Sequence, residues 1–109
     1  MRDLSVLEQL VLSAIIALGE EAYSMAIRKK VREIANKMIM YGTLYNVMDQ
    51  LLRKGYVTKS KGDIIPERRG RRRMYYKPTT QGTEALLKAR DLHEAIWANL
   101  QDLVRTQKK

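Results

Sequence analysis

The sequence predicts a mainly α fold with one small β-hairpin: three short helices, a basic two-stranded hairpin and a long final helix. Three observations carry that reading. Apolar residues recur at three- and four-residue spacing in four separate segments, which is the helical period. Glycine, serine and threonine stand between those segments, where they start or stop helices. Between the third and fourth segments, the residues around Tyr75-Tyr76 leave the helical period and read as strand. The chain has 109 residues, enough for one domain with a modest core and small enough that a second copy would add to its stability.

The first helix opens at Ser5, with Glu8 three residues on in a capping-box pattern. Its apolar positions Leu7, Leu10, Val11, Ala14, Ile15 and Leu18 run to Gly19. Val6, Leu12 and Ile16 fill the other side, so this helix is apolar nearly all round and calls for cover on two sides. Ser24 stands where a cap belongs for a second helix over residues 25–35. Ala26, Ile27, Val31 and Ile34 then face inward, and Arg28, Lys29, Lys30 and Arg32 face solvent or phosphate. Asn36 and Lys37 read as a turn.

The third helix spans residues 41–54. Leu44, Val47, Met48, Leu51 and Leu52 share its core-facing side, while Gly42, Thr43, Asn46, Gln50 and Arg53 project oppositely and Tyr45 sits on the boundary. Gly55 closes the helix. Residues 56–59 make a short strand and residues 73–77 a second, joined by a long basic tip. Tyr75 and Tyr76 alternate across that strand, one toward the core and one toward the surface. Thr79 or Thr80 caps the last helix, whose Leu86, Ala89, Leu92, Ile96, Leu100 and Leu103 are spaced by threes and fours nearly to the C-terminus. This order is that of a winged helix-turn-helix over residues 1–78 followed by a dimerisation helix over residues 79–109.

Charge says what such a fold would hold. The formal net charge is +9, and residues 28–77 carry fifteen Lys and Arg against four Asp and Glu. A field concentrated in this way gathers anionic partners, nucleic acid first among them. The first turns of the third helix are placed to read base edges in a major groove. Thr43 can touch a thymine methyl, and Asn46 and Gln50 can pair with adenine in bidentate fashion, so half-sites containing A·T pairs are expected. Tyr45 is either a phosphate contact or a tyrosine half packed against the wing. Ser24 is either a phosphate clamp at a helix N-terminus or simply a cap. In the wing, Arg68, Arg69, Arg71, Arg72 and Arg73 can fork onto phosphates or enter a narrow minor groove.

With those residues in view, the chain resembles the PadR-type transcriptional regulators. Their recognition-helix pattern is matched by Gly42-Thr43-Leu44-Tyr45, Leu51 and Gly55, and their wing pattern by Gly70-Arg71, Arg73, Tyr75-Tyr76, Thr79 and Gly82. The departures are Asn46 for the family's proline, Leu52 for its glutamate, Arg72 for the wing proline and Pro78 for its leucine. The resemblance covers nearly the whole chain and implies a short-subclass member with one C-terminal helix. It further implies a dimeric repressor of a palindromic operator, with Tyr45 at the DNA surface and a small hydrophobic or phenolic effector that releases it.

The last helix carries the dimer expectation independently. Its stripe of Leu86, Ala89, Leu92, Ile96, Trp97, Leu100 and Leu103 has too little of its own domain to cover it, and the first helix offers a surplus side, so an isologous interface is expected. Trp97, at the edge of that stripe, is either plain packing or a flat wall for a planar aromatic effector.

Other classes find little support. The chain has no cysteine and one histidine, His93, with no phosphate-binding glycine loop near it. Neither an enzyme nor a metal site is expected, and no cofactor. The longest apolar run, residues 11–18, is interrupted by Ser13 and is short of the roughly 20 residues a membrane span requires. With no signal peptide visible, a cytoplasmic location is expected. The competing functions are a winged-helix module that grips DNA or RNA without promoter specificity, as an architectural or RNA-associated factor, and a dimeric protein-interaction adaptor.

Overall fold

The structure, a computed structural model, describes residues 3–64 and 72–107. Its element order is α1 (Val6–Leu18), a single 3₁₀ turn (Gly19–Glu21), α2 (Ser24–Ala35), α3 (Tyr41–Arg53), β1 (Val57–Ile64), β2 (Arg72–Pro78) and α4 (Thr80–Gln107). The expected long basic tip of the hairpin falls at residues 65–71, outside the described residues.

Local chemistry explains each boundary. At α1 the capping box is complete: the Glu8 amide donates to the Ser5 hydroxyl at 3.1 Å, and the Ser5 amide donates to Glu8 Oε1 at 2.7 Å. Asn36 ends α2 in the left-handed region, with φ 51°, which asparagine tolerates better than most residues. Past α3, Gly55 takes φ 77°. The Tyr56 amide then reaches the Leu51 carbonyl at 2.9 Å and the Gly55 amide the Leu52 carbonyl at 3.0 Å, the paired bonds of a Schellman cap. That cap swings Tyr56 inward beside Leu51, where both are buried. Of the two candidate caps for α4, Thr79 is the one used. Its hydroxyl accepts from the Gly82 amide at 3.0 Å and donates to the Gly55 carbonyl at 2.7 Å, so one side chain starts α4 and ties it to the end of α3.

Three helices enclose the core. Val11, Leu12, Ala14 and Ile15 of α1 meet Ile27 and Val31 of α2 and Leu44, Val47, Met48 and Leu51 of α3, with Tyr56, Val57, Tyr76 and Ala85 closing the hairpin side. Each fully buried Leu, Ile or Val contributes about 1.5–3 kcal/mol through burial. Two assignments of side are corrected. Leu12 is wholly buried in its own core rather than on a second, uncovered side of α1, and Ile34, expected inward, is 50% exposed. Ile34 lies in the last turn of α2, past the buried Ile27 and Val31.

The hairpin is longer than its alternation suggested. β1 and β2 pair antiparallel from Val57↔Pro78 through Lys61↔Met74, and pairing resumes at Ile64↔Arg72 after an irregularity. Of the two alternating tyrosines, Tyr76 is the buried one. Tyr23 adds a single bridge to the far side of β2 at Tyr75, and the Tyr76 amide donates to the Ala22 carbonyl at 2.8 Å. This third strand position anchors the wing to the entrance of α2.

Candidate nucleic-acid interface

The exposed side of α3 carries Gly42, Asn46, Gln50 and Arg53, with Thr43 half-buried beside them. Asn46 and Gln50 are one turn apart on the same face, as a reading helix requires. Arg53 is held by Asp49 at 3.0 Å, an exposed pair within the helix. Gly42 has open space where a Cβ would stand.

Beside this helix lies a cleft of about 350 Å³ lined by Tyr23, Ser24, Tyr45, Arg73, Met74 and Tyr76 among others. The N-terminus of α2 borders it through Ser24. The first intrahelical bond of α2 runs from the Ile27 amide to the Tyr23 carbonyl, so the amides of Ser24, Met25 and Ala26 precede it and keep the positive end of the helix dipole. Ser24 is the first residue of α2, not its cap. That position belongs to Tyr23, which makes no side-chain capping bond. The Ser24 hydroxyl instead accepts from the Tyr45 phenol at 3.2 Å. Tyr45, 50% exposed, thus leans across the cleft mouth, which Arg73, Met74 and Tyr76 of the wing also line.

Two arginines flank the cleft on tyrosine rings. The Arg73 guanidinium lies 4.1 Å from the Tyr23 ring centroid, and that of Arg28 lies 4.2 Å from the Tyr41 centroid. Tyr41 is stacked on Tyr45 with centroids 6.4 Å apart, and Tyr75 meets Tyr23 edge-on at 5.8 Å. Burial pushes the Tyr76 phenol above its ordinary value, and the neighbouring Tyr45 and Asp49 add to this. It therefore stays neutral in physiological conditions.

Of the expected wing arginines, Arg68, Arg69 and Arg71 lie outside the described residues, and of Arg72 only the backbone is described. Arg73 is brought into the cleft. The sequence reading left Tyr23 and Tyr41 without a role and gave Arg28 only a general outward place. The Tyr41–Tyr45 stack was legible as an i, i+4 pair, but the arginine partners come from other elements and carried no local signal. Among the described residues no group of three or more His, Cys, Asp and Glu side chains is placed to hold a metal ion, and no helix is long and apolar enough to cross a membrane.

Comparison with known proteins places this geometry. The family model for PadR-like transcriptional regulators matches residues 11–88, well over half of the chain. The chain belongs to the PadR-like family. As a member of that family it is a DNA-binding transcriptional regulator. Its fold is that of solved PadR-like structures. A transcriptional regulator from Clostridium thermocellum superposes with a TM-score of 0.73 at 24% identity, covering 89% of this chain and 88% of that one. A PadR-like regulator from Bacillus cereus gives 0.72 at 20% identity, covering 91% of each. A PadR-like transcription factor from Bacteroides fragilis gives 0.64 at 28% identity, covering 92% of this chain and 87% of that one. No curated protein matches the chain. In PadR-like terms α2 and α3 are the helix-turn-helix, β1 and β2 the wing, and α4 the C-terminal helix.

Proposed function

We propose that this PadR-like chain is a dimeric repressor that binds a palindromic operator and leaves it when a small hydrophobic or aromatic effector binds. In this reading residues 1–78 grip DNA, residues 79–109 pair the subunits, and the protein works in the cytoplasm. The observation that carries the reading is the open polar face of α3, with Asn46 and Gln50 beside a cationic cleft at the α2 N-terminus. Thr43, Asn46 and Gln50 read bases, while Ser24, Tyr45, Arg73 and the wing residues Arg68, Arg69, Arg71 and Arg72 hold the backbone. The open space at Gly42 suits a first turn that a groove wall approaches closely.

The test is binding to duplexes selected from a random pool. Asn46→Ala is expected to lose roughly 1–3 kcal/mol of discrimination between the selected sequence and its variants. Arg71→Ala is expected to weaken binding to all duplexes alike and to flatten the dependence on salt. Equal effects of both substitutions on specificity would defeat this division of labour.

Dimerism is supported by the state of α4. Spanning about 42 Å, it leaves Leu92, Ile96, Trp97, Leu100 and Leu103 exposed, and Val6 and Ile16 of α1 are exposed as well. Leu86 packs instead against its own core and Ala89 is half-buried, so the surface left for a partner starts further along the helix than the periodicity implied. A groove of about 530 Å³ between the start of α1 and α4, lined by Leu4, Val6, Ala89, Leu92, His93 and Ile96 among others, extends that surface. Leu100→Glu is expected to sediment as a single subunit and to lose operator affinity on the order of a hundredfold, since two linked half-sites bind as one. A single-subunit mass for the unaltered protein would exclude the dimer. The Trp97 ring, near that of His93 at 6.4 Å, reports on the effector: its fluorescence should change with any planar aromatic that releases DNA.

A further inference from the structure

We propose that Arg28 and Arg73 form a pre-set pair of phosphate contacts flanking the α2 N-terminus, each spread on a tyrosine ring with its terminal amino groups left for the DNA backbone. The inference rests on the DNA-binding reading above and names which cations supply the grip outside the wing tip.

The geometry of the two residues is parallel although they come from different elements. Arg28, within α2, uses its Nε–H on the Ile39 carbonyl at 2.7 Å and lies over Tyr41. Arg73, in β2, has a buried Nε with no hydrogen-bond partner and lies over Tyr23. Each is half-buried. In both, the inner nitrogen is turned into the protein, and one face of the guanidinium is covered by a ring. Neither arginine has a carboxylate partner among the described residues, whereas the other two half-buried basic residues there, Lys30 and Lys54, are paired with Glu33 and Glu8.

That contrast decides the role. An arginine kept only for packing gains by pairing its charge with a carboxylate, because a partly buried, uncompensated cation is unfavourable. These two stay uncompensated, beside the positive end of α2, where only an anion relieves them. Their rotamer freedom is already spent on folding, so ordering on contact with DNA takes little more. Planar guanidinium groups suit phosphate oxygens in bidentate fashion. Arg73 lines the cleft with Ser24 and Tyr45, and Arg28 lines the adjoining hollow, which shares Tyr23, Met25 and Tyr41 with that cleft. The site thus offers two cations, a hydroxyl pair and three leading amides to the phosphodiester backbone.

The test compares salt dependence across two kinds of variant in the full-length protein. Arg28→Gln keeps a donor for the Ile39 carbonyl and removes the charge, and Arg73→Gln removes the charge on the wing strand. Each should lower affinity roughly tenfold or more, equally for the selected operator and an unrelated duplex. Each should also make the slope of log K against log salt shallower by about 1 for every subunit bound. Tyr41→Leu and Tyr23→Leu keep the charges but free the arginines. They should lower affinity with no change in slope. Arg28→Lys and Arg73→Lys should restore the slope and only part of the affinity. Circular dichroism and thermal unfolding identify any variant that does not fold, and the lysine variants carry the test if a glutamine variant fails. Unchanged slopes in folded glutamine variants would make both arginines structural and overturn the proposal. Unchanged affinity in the leucine variants would overturn the pre-set geometry. If the unaltered protein binds no duplex at all, the failure lies with the DNA-binding reading itself.

Discussion

Replacing Glu8 with glutamine is expected to lower the stability of the fold by about 3 kcal/mol, the low end of what breaking a buried ion pair costs. Among the described residues Glu8 is the one charged side chain in the core, 2% exposed. Its Oε1 accepts from the Lys54 ammonium and the Ser5 amide, both at 2.7 Å, and its Oε2 lies 2.7 Å from the same ammonium. Lys54 also donates to the Asp3 carbonyl at 3.0 Å. Glutamine retains an acceptor for Ser5, so the capping box survives. The Lys54 charge, 17% exposed, loses its partner and keeps a little water, which is why the low end of the range applies.

The same pair gives an acid limb with a definite sign. Burial on its own would raise the Glu8 carboxyl, but hydrogen bonds from Lys54 and from the Ser5 amide and hydroxyl, with the Lys54 charge, outweigh it and hold the group below its ordinary 4.5. A folded value below the unfolded one means that the unfolded chain takes up the proton first. The contribution of this group is therefore complete above about pH 4.5 and is lost as pH falls through the lower folded value. Urea unfolding at stepped pH should show stability declining below that point, with a shallower decline in Glu8→Gln. An identical acid limb in both proteins would show that the pair does not set it. Because the pair joins the start of α1 to the end of α3, the substitution should also loosen α3 and, under the proposed function, weaken operator binding.

Glu8 also shows how far sequence alone could go. Its spacing from Ser5 announced the capping box, but its partner stands 46 residues away, and no local pattern joins the two. The helices were legible because their period and punctuation are local, down to Gly55 at the end of α3. The faces were less so. Periodicity says which residues share a side, not which sides find a neighbour, so Leu12 and Ile34 were assigned to the wrong environments. Ser24 failed for a related reason. Its type fits a cap, but the bridge of Tyr23 to Tyr75 holds Tyr23 extended, with φ −114° and ψ 166°, and the helix starts one residue sooner. That displacement frees the Ser24 hydroxyl for Tyr45. At the candidate interface, Asn46 and Gln50 were legible because α3 alone presents them. The arginine–tyrosine stacks join α2 to the first residue of α3 and β2 to the residue before α2, so only the folded arrangement brings them together.

Gly82→Ala is expected to be as damaging as the loss of Glu8, about 3 kcal/mol, the upper end of the usual range for overpacking. The first turn of α4 lies directly on the start of the wing. A Cβ at Gly82 would fall inside van der Waals contact of the Tyr56 carbonyl oxygen and would stand 2.9 Å from its carbon and 3.1 Å from its Cα. These are backbone atoms, so no side chain can turn aside. Tyr56 is fixed on both flanks: its amide closes the Schellman cap and its carbonyl accepts from the Thr79 amide at 3.0 Å. Retreat of α4 would stretch that bond and the Thr79 hydroxyl bonds to Gly55 and Gly82. The normal gain in helix propensity from glycine to alanine, about 1 kcal/mol, is too small to offset this. Thermal and urea unfolding measure the effect, and a variant as stable as the parent would mean that α4 is free to shift on the wing. Under the dimeric reading a shift has a further consequence, because α4 then sets the separation of the two reading helices. Residual folded Gly82→Ala should bind isolated half-sites better than it binds the full operator, relative to the parent, since a half-site does not test spacing. Proportional losses on both would confine the role of Gly82 to stability.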